Sequence, residues 1–547
     1  FKKFVPKLFD PDYCFAIIFR LLFENFDNSF GGTGKKMITI GARYISFDDF
    51  IDIVFKSEKI ELSPESLSEV EENFNFLKSF AKNRTIYGIN TGFGPMARYK
   101  IADEDVEQLQ LNLIRSHAAG TGKILPDIYA RGAVLARLNS LMLAKSGVHP
   151  DVVHLLAEFL NNNISPVIFE HGGVGASGDL VQLAHLALNL IGEGEVYLNG
   201  KIVPASTAFE RCGLAPIKMH LREGLALING TSVMTAIGLT NLYQSKRLFD
   251  WMIGASAIMM EVVECYDDHY SIETNSVKLH SSQNTVAVKL SKLLNGSSLV
   301  KSRKINMYDT ELAPGFIDEK VQEFYSIRCV PQVLGPVLET LDFSQKILID
   351  EINSVNDNPV IDHTNQFVYH GGNFHGDYVS LEMDKMKIAV TKLTMLSERQ
   401  LNYLMNPKLN EKLPPFVNLG RPGFNYGMQA VQFTAVSTTA ENQTLCFPNC
   451  VHSIPNNNDN QDVVSMGTNS ANIARTVINN AFEVVAIELM ALIQAVDCLE
   501  CSSKMSVNTA EIYSSLRKIV PAFKEDSPKY IQISSMKEHI YNNDFTV

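Results

Sequence analysis

Three long segments repeat apolar residues at the spacing of an α-helix, and they constrain the possible folds more than any other feature. They cover residues 320–355, 381–404 and 470–499. Helices of this length must bury their apolar stripes against one another or against other subunits, as in a helix bundle. The shorter segments 128–146 and 151–160 show the same spacing. We therefore predict a mainly α fold with a long-helix bundle at its core.

The distribution of loops and helices suggests how the chain is divided. Residues 37–225 hold a glycine-rich turn and several polar loops, whereas the longest periodic segments lie in 226–547. This predicts a smaller, loop-rich N-terminal domain over 37–225, followed by the long-helix bundle and a C-terminal helical region over 226–547. Residues 1–36 lack the continuous apolar core and the cleavage site of a signal peptide. We expect them to be a non-native or disordered leader, with Met37 as the true start.

Charge and hydropathy argue against two classes of partner. The chain has 48 Lys and Arg against 60 Asp and Glu, and its net charge is −12. A nucleic-acid-binding protein normally shows a basic patch, so we expect no nucleic-acid partner. No stretch reaches the ~18 apolar residues that would cross a bilayer. The longest apolar run, 251–263, is interrupted by polar residues and predicts a buried helix.

The eight cysteines are scattered along the chain and predict free thiols in a reducing cytoplasm. Two pairs, Cys446 with Cys450 and Cys498 with Cys501, have spacings that could bind zinc. Neither pair lies in a zinc-ribbon turn, and the second ends a long helical segment. We therefore expect no metal site.

The glycine-rich turn 171–179 contains Ala176-Ser177-Gly178, a tripeptide that can react with itself. If the amide nitrogen of Gly178 reaches the carbonyl carbon of Ala176, the backbone can close into a five-membered ring. Loss of two waters, one from the Ser177 hydroxyl, then leaves an exocyclic methylene, which is an electrophile. Glycine favours this reaction because it tolerates strained backbone angles and leaves its nitrogen unhindered.

Two other interpretations of this turn remain open from the residues alone. It could be an ordinary turn before a helix. It also matches G-x-G-x-x-G over 173–178, with Glu193 and Glu195 near the spacing of a ribose-binding acid, as in dinucleotide sites. The preceding segment 166–171 ends in charged and polar residues, which is unusual for a buried parallel strand. The chain also lacks the alternation of strands and helices of a doubly wound sheet.

Several polar loops lie between the predicted helices, where a rigid scaffold often carries its chemistry. They cover residues 87–95, 371–376, 414–427 and 453–461. Tyr325 and Arg328 stand three residues apart, which would place a phenol and a guanidinium on one helix face. An arginine beside a cavity suits a substrate carboxylate, although a lone arginine more often forms a salt bridge. Asn229 and the amide-rich segment 456–461 could equally be explained by turn chemistry.

Taken together, these segments resemble the aromatic amino-acid ammonia-lyases, the family of histidine, phenylalanine and tyrosine ammonia-lyases and related aminomutases. The resemblance extends from about residue 40 to the C-terminus, and within the family it is closest to flavobacterial tyrosine ammonia-lyases. The motifs that carry it occur in the family's order and cover residues 87–94, 109–117, 175–179, 225–231, 325–332, 356–359 and 371–374.

The resemblance implies a specific site and assembly. Ala176, Ser177 and Gly178 would form a 4-methylidene-imidazol-5-one group (MIO), and no external cofactor or metal would be required. The subunits would form a homotetramer whose active sites are shared between chains and bind a small amino acid. The catalytic residues would include Tyr87 as the base for the β-proton, with Asn229 and Tyr325 beside the MIO. The implied substrate-binding residues are Gly94, Ser116, His117, Gln322, Arg328, Phe374 and Gln461.

A phenol is a weak base near neutral pH. We therefore predict that nearby backbone N–H groups and helix N-termini ionise Tyr87 in part.

Two clues to the substrate disagree. Ser116-His117 is the pair found in histidine ammonia-lyases, but His117 can also hydrogen-bond a phenol. Gln461 and Val463 match the phenylalanine and tyrosine enzymes, whereas histidine enzymes carry Glu and His there. We predict elimination of ammonia from L-tyrosine to give trans-p-coumarate. The alternatives are a histidine ammonia-lyase, a tyrosine 2,3-aminomutase and an inactive homologue that serves as a binding scaffold.

Overall fold

The computed structural model describes residues 37–309, 314–317 and 320–545, and α-helices dominate them. The helices are α1 Phe47–Val54, α2 Pro64–Phe80, α3 Val106–His117, α4 Asp127–Met142, α5 Pro150–Asn161, α6 Leu180–Leu190, α7 Ala205–Cys212, α8 Glu223–Ile228, α9 Ser232–Val262, α10 Ile272–Ser276, α11 Ser281–Leu294, α12 Tyr325–Arg328, α13 Val330–Ile352, α14 Asp377–Met405, α15 Pro407–Asn410, α16 Gln429–Leu445, α17 Gly467–Cys498, α18 Val507–Arg517 and α19 Tyr530–Asn542. The strands are β1 Ile38–Ile40, β2 Ile60–Leu62, β3 Thr121–Ile124, β4 Ile164–Pro166, β5 Phe169–His171, β6 Glu195–Leu198, β7 Lys201–Pro204, β8 Val360–Asp362 and β9 Phe367–Tyr369.

Five long helices, α9, α13, α14, α16 and α17, pack together into a bundle. Helix α17 is buried on all sides over residues 484–496, and α9 is buried over 251–262. A helix that is buried on every face must lie inside a larger assembly of helices, which explains the central place of these two. The predicted bundle and the predicted buried helix near residue 251 are both confirmed.

One predicted helix is wrong in its extent. The periodicity over 320–355 predicted a single helix, but the chain forms the one-turn α12 and then the long α13. Between them, Cys329 has φ −101° and ψ 19°, outside the helical range. Pro331, in the first turn of α13, contributes to the break, because it has no N–H to donate to the Ile327 carbonyl four residues earlier and its ring crowds that carbonyl.

Small sheets stabilise the part of the chain before the bundle. Strands β1 and β2 pair in parallel, β3 pairs antiparallel with β5, and β4, β6 and β7 form an antiparallel sheet. A fourth small sheet pairs β8 with β9 later in the chain. Helix α4 packs on α9, so one hydrophobic core joins both halves of the chain. The domain boundary at residue 225 stays a prediction, and residues 1–36 lie outside the described residues.

The described helices also bear on the membrane prediction. Helix α9 has 31 residues and α17 has 32, but neither they nor the other described helices are both long and apolar enough to cross a bilayer.

Candidate active site

The tripeptide Ala176-Ser177-Gly178 lies in a tight turn between β5 and α6. Gly175 and Gly178 have φ values of +75° and +72°, which L-residues with side chains rarely adopt. A Cβ atom on Gly178 would lie 2.0 Å from the carbonyl oxygen of Gly230. That same oxygen accepts a hydrogen bond from the Asp179 N–H at 2.7 Å. Only glycine fits at position 178, and the contact with Gly230 holds the turn in its bent form.

Two side-chain amides donate hydrogen bonds to Ser177. Asn229 Nδ2 donates to the Ser177 carbonyl oxygen at 3.0 Å. Gln461 Nε2 donates to the Ser177 hydroxyl at 2.9 Å, although it lies 284 residues further along the chain. Asn229 is itself fixed, because its Oδ1 accepts from the Asn358 N–H at 2.8 Å. Two of the predicted site residues therefore converge on Ser177.

Four helices begin at this turn. Helix α6 follows it directly, and α9 begins two residues after Gly230. The N–H of Gly376, just before α14, donates to the Gly175 carbonyl at 3.1 Å, and the N–H of Met466, just before α17, donates to the Val174 carbonyl at 3.0 Å. The N-terminus of a helix carries partial positive charge. The turn therefore lies where negative charge is stabilised.

Asp179 ties the turn to two of these helices. Its carboxylate accepts from the N–H groups of Val233 and Met234 at 2.8 and 3.0 Å, and from the hydroxyl of Thr468. Burial raises the pKa of Asp179 to about 6, although these hydrogen bonds and the charge of Arg137 oppose that rise. The residue therefore holds α9 and α17 against the turn.

The sequence analysis missed a buried arginine behind the site. Arg137 Nη1 donates to the Asn229 carbonyl at 2.8 Å, and Nη2 donates to Asn356 Oδ1 at 3.0 Å. Arg137 is fully buried, and burial lowers its pKa to about 10, while Asp357 favours the charged form. A charged residue within the apolar segment 128–146 was the available signal, because a buried cation needs partners.

The predicted base, Tyr87, lies in a loop that folds back on itself. Its phenol oxygen accepts from the Gly94 N–H at 3.2 Å. A Cβ atom on Gly94 would meet the Asn457 amide at 2.8 Å, so this loop contacts the loop that carries Gln461. His370 packs edge-on near the Tyr87 ring, with 6.5 Å between ring centroids. The hydrogen bond from Gly94 fixes the Tyr87 side chain, and its role as the base stays a prediction.

Phe374 is half-buried in a loop next to the turn. The loop begins where Gly371 N–H donates to Asn358 Oδ1 at 2.8 Å. It ends at Gly376, which is bonded to Gly175. Phe374 therefore lies in a segment that is anchored at both ends to the site, and its role in lining the pocket stays a prediction.

His117 ends α3, which connects two parts of the site. Gln110 on this helix contacts Gly88 of the Tyr87 loop at 3.5 Å and accepts from the Leu225 N–H at 3.1 Å. His117 Nδ1 lies 2.9 Å from the Leu113 carbonyl, and Ser116 Oγ lies 3.0 Å from the same nitrogen. A carbonyl can only accept, so Nδ1 carries the proton in the neutral ring and Nε2 is left as an acceptor.

The other predicted residues form a second cluster. The Arg328 guanidinium carbon lies 4.6 Å from the centre of the Tyr325 ring, so the two share a helix face as predicted. Arg328 and Gln322 line a cavity of about 620 Å³. Its other lining residues include Asp268, His269, Arg303 and Gln332. Tyr325 is 70% exposed.

The two clusters lie at opposite ends of the bundle. Gln400 Nε2 donates to the Ser326 carbonyl at 2.8 Å and to Ser256 Oγ at 3.2 Å, which fixes α12 beside these positions. Ser256 and Gln400 each lie roughly 23 or 24 residues after the start of α9 or α14, so they are about 35 Å from the Ser177 turn. One chain therefore cannot bring Tyr325 and Arg328 to its own Ser177.

The structure contradicts the dinucleotide interpretation of the turn. The segment 166–171 contributes to two separate antiparallel pairings, not to the parallel sheet that a dinucleotide fold requires. Cys446, Cys450, Cys498 and Cys501 are free thiols. Within the described part of the chain, no group of three His, Cys, Asp or Glu residues is placed to hold a metal ion.

Comparison with known proteins identifies the class. The family model for aromatic amino acid lyases matches residues 45–518, and the chain belongs to this family. A tyrosine 2,3-aminomutase from Chondromyces crocatus is 38% identical over 508 residues, which cover 92% of this chain and 96% of the relative. A histidine ammonia-lyase from a Geobacillus species is 38% identical over 495 residues, with 90% and 94% covered.

Solved structures agree with the fold. The tyrosine aminomutase from Streptomyces globisporus superposes with a TM-score of 0.89 at 32% identity, covering 92% of this chain and 97% of that one. Histidine ammonia-lyase from Trypanosoma cruzi gives 0.82 at 30% identity, with 92% and 93% covered. The predicted family and the predicted helical fold are confirmed. The relatives differ in reaction and substrate, so family membership leaves both open.

Proposed function

We propose that this protein eliminates ammonia from L-tyrosine to give trans-p-coumarate, using an MIO formed from Ala176, Ser177 and Gly178. The observation that carries the proposal is the convergence on Ser177. Asn229 donates to its carbonyl and Gln461 to its hydroxyl, while the backbone is bent at Gly178. An ordinary turn needs none of these contacts from distant parts of the chain.

The residues around the tripeptide fit such a group. The Gly178 nitrogen belongs to a residue with no side chain and a φ of +72°, so attack on the Ala176 carbonyl meets little steric hindrance. The Asn229 amide is placed to polarise the carbonyl of Ser177, and four helix N-termini favour negative charge there. When formed, the MIO supplies an electrophile for the substrate amine, which then leaves more readily as ammonia.

Tyr87 is proposed as the base that removes the β-proton. Its phenol oxygen already accepts one backbone hydrogen bond, from Gly94. The same contact fixes the position of the phenol oxygen that would receive the β-proton. Arg328 would hold the substrate carboxylate as a bidentate partner, and Tyr325 would lie beside the substrate amine.

The proposed active site requires more than one chain. Tyr325 and Arg328 are about 35 Å from the Ser177 turn of the same chain, by the helical rise along α9 and α14. Exposed apolar side chains on three bundle helices offer surfaces for subunit contact. They are Phe343 on α13, Leu381 and Ile388 on α14, and Phe433 and Val436 on α16. We propose a homotetramer in which a second chain brings Arg328 to each Ser177.

Tyrosine is the proposed substrate because of His117 and Gln461. The free Nε2 of His117 can accept a hydrogen bond from a substrate phenol, whereas phenylalanine would leave it unpaired. Gln461 is a neutral amide, which suits the phenol ring of tyrosine better than it suits a cationic imidazole ring of histidine. The elimination is tested by incubating the protein separately with tyrosine, phenylalanine and histidine. Coumarate and ammonia from tyrosine, in excess over the other products, are the expected result.

A second candidate, tyrosine 2,3-aminomutase, is favoured by relatives with that name at 38–39% identity. A mutase would return ammonia to the β-carbon and release β-tyrosine. The same incubation separates the candidates, because β-tyrosine, coumarate and urocanate are resolved by chromatography. Formation of mainly β-tyrosine or urocanate would overturn the lyase or the tyrosine assignment. Absence of all three products would favour the binding scaffold.

A further inference from the structure

We infer that Gln461 helps to make the electrophile, besides any contact with substrate, by assisting departure of the Ser177 hydroxyl. This inference rests on the proposed function. Gln461 Nε2 donates to Ser177 Oγ at 2.9 Å, and this oxygen is the atom that must leave. The contact exists in the unreacted chain, before any substrate can take part.

The loop that carries Gln461 is built to hold its side chain in place. Asn456 and Gln461 exchange two backbone hydrogen bonds, at 3.1 and 3.3 Å. Three residues between them, Asn457, Asn458 and Asp459, have positive φ values of 52–58°. Asparagine and aspartate tolerate that conformation better than other residues with side chains. The amide-rich segment therefore forms a closed turn, and Gln461 is one of the two residues whose backbone hydrogen bonds close it.

The chemistry divides into two losses of water. First, the Gly178 nitrogen bonds to the Ala176 carbonyl carbon. The Ala176 oxygen then leaves as water with the protons of the Gly178 and Ser177 N–H groups, and the Ala176 carbon forms a C=N bond to the Ser177 nitrogen. Second, the Cα–H bond of Ser177 breaks and its proton passes to solvent. The electron pair forms the Cα=Cβ bond as the Cβ–Oγ bond breaks, and Oγ takes a proton from solvent to leave as the second water.

Gln461 contacts only the atom that leaves in the second step. An N–H donor stabilises the negative charge that develops on Oγ as its bond to Cβ lengthens. Asn229 instead donates to the Ser177 carbonyl, which stays in the ring. The two amides therefore serve different steps, and loss of Gln461 should leave ring closure possible while water loss from Ser177 slows.

Mass spectrometry of the peptide that contains residues 176–178 tests the inference without an activity assay. The wild-type peptide is expected to lack the mass of two waters. Ser177→Ala can close the ring but has no hydroxyl to lose, so it provides the reference for a one-water deficit. Gln461→Leu is expected to accumulate the one-water species, with the second loss about 100-fold slower, as for removal of a single donor to a developing charge.

Two further variants serve as a control and as a second test of the role of Gln461. Asn460→Leu alters the exposed neighbour in the same loop and should keep the two-water deficit. Gln461→Ser is polar but too short to reach Ser177, so it provides a second test if the leucine variant fails to fold.

The possible results separate the two proposals. A full two-water deficit in both Gln461 variants at the wild-type rate would overturn this inference and leave the proposed function intact. No deficit in a folded Gln461 variant would overturn the assignment to the second step, as would the same loss of processing in Asn460→Leu. A wild-type peptide without any deficit would instead overturn the proposed function.

Discussion

Position 230 shows how closely the backbone is packed around the reactive turn. A Cβ atom on Gly230 would lie 2.5 Å from Arg137 Nη1 and 2.6 Å from Asn356 Oδ1, and the residue has a φ of +145°. Its carbonyl in turn presses against Gly178. Because Gly178 and Gly230 lack side chains, the buried Arg137 and the backbone of the turn can both approach the peptide of Gly230. An added Cβ atom at either Gly178 or Gly230 would therefore force the turn to change its conformation.

Replacing Tyr87 with Phe separates catalysis from maturation. The variant loses the proposed base but keeps every contact described for Ser177. We expect turnover of tyrosine to fall by at least about 100-fold, the usual contribution of a general base. The peptide with residues 176–178 should still lack two waters by mass. Turnover within a few-fold of wild type would contradict the assignment of the base.

Replacing His117 with Leu tests the choice of substrate. Removal of the acceptor at Nε2 should lower kcat/KM for tyrosine by about 10- to 100-fold, the effect of losing one hydrogen bond in a buried site. The same change should raise kcat/KM for phenylalanine, because no unpaired polar group then faces its ring. Gln108→Ala, on the exposed side of the same helix, is the control. An unchanged ratio of the two values would argue against a contact between His117 and the phenol.

The sequence predicted many of the site residues, but it did not predict their supports. Asn229 and Gln461 were named by the resemblance of their motifs to the family, and both contact Ser177 in the fold. Arg137 was missed, because its partners Asn229 and Asn356 lie 92 and 219 residues away. Such partners become visible only when the helices are packed, although a charge in an apolar helix hinted at them.

At the scale of elements, helix α17 carries a buried carboxyl away from the site. Glu488 is fully buried, with Ser397 on α14 as its neighbour, and burial raises its pKa to about 8. A carboxyl whose pKa is raised by folding favours the folded chain less as pH increases. The loss begins near the ordinary pKa of 4.5 and is complete above about 8.

Glu488→Gln should therefore change how stability depends on pH. Relative to wild type, the variant should gain up to about 5 kcal/mol in the free energy of unfolding between about pH 4.5 and 8. Denaturant midpoints at pH 5, 7 and 9 measure this difference. Glu483→Gln, on the same helix but paired with Lys537 at 3.4 Å and partly exposed, is the control. A pH-independent difference for Glu488→Gln would contradict the raised pKa.

Element boundaries followed the sequence except where proline intervened. The helix predicted over 381–404 is α14, Asp377–Met405, and that predicted over 470–499 is α17, Gly467–Cys498. Apolar periodicity finds helices because buried faces fix it. It did not show the break at Cys329, since the periodicity continues through a single non-helical residue.

At the scale of the whole molecule, sharing of the site between chains can be tested by mixing inactive variants. Tyr87→Phe and Arg328→Met should each be inactive alone. If the two residues of one site come from different chains, random mixed tetramers should contain about a quarter of sites with both residues intact. Co-expression followed by an assay with tyrosine measures the recovery. No recovery in tetramers shown to contain both variants would place Tyr87 and Arg328 of each site on the same chain.

No sequence pattern could have given the distance between the two clusters. Tyr87 and Arg328 both belong to motifs of the family, and the motifs alone do not say which chain supplies them. The lengths of α9 and α14 give the separation within one chain, because a rise of about 1.5 Å per residue places Tyr325 most of the bundle away from Ser177. The sequence could not predict this distance, because separation in space depends on which helices are straight and adjacent.

The meeting of four helix ends at one turn determines when, during synthesis and folding, the turn can take its bent form. Helices α6, α9, α14 and α17 all begin against residues 174–179, and the last of these starts at Gly467. If the proposed ring forms, its closure must wait until α17 has been synthesised and packed against the turn. A misfolded copy would retain an ordinary serine. The electrophile, which cellular thiols could otherwise capture, would arise only in chains that have already folded correctly.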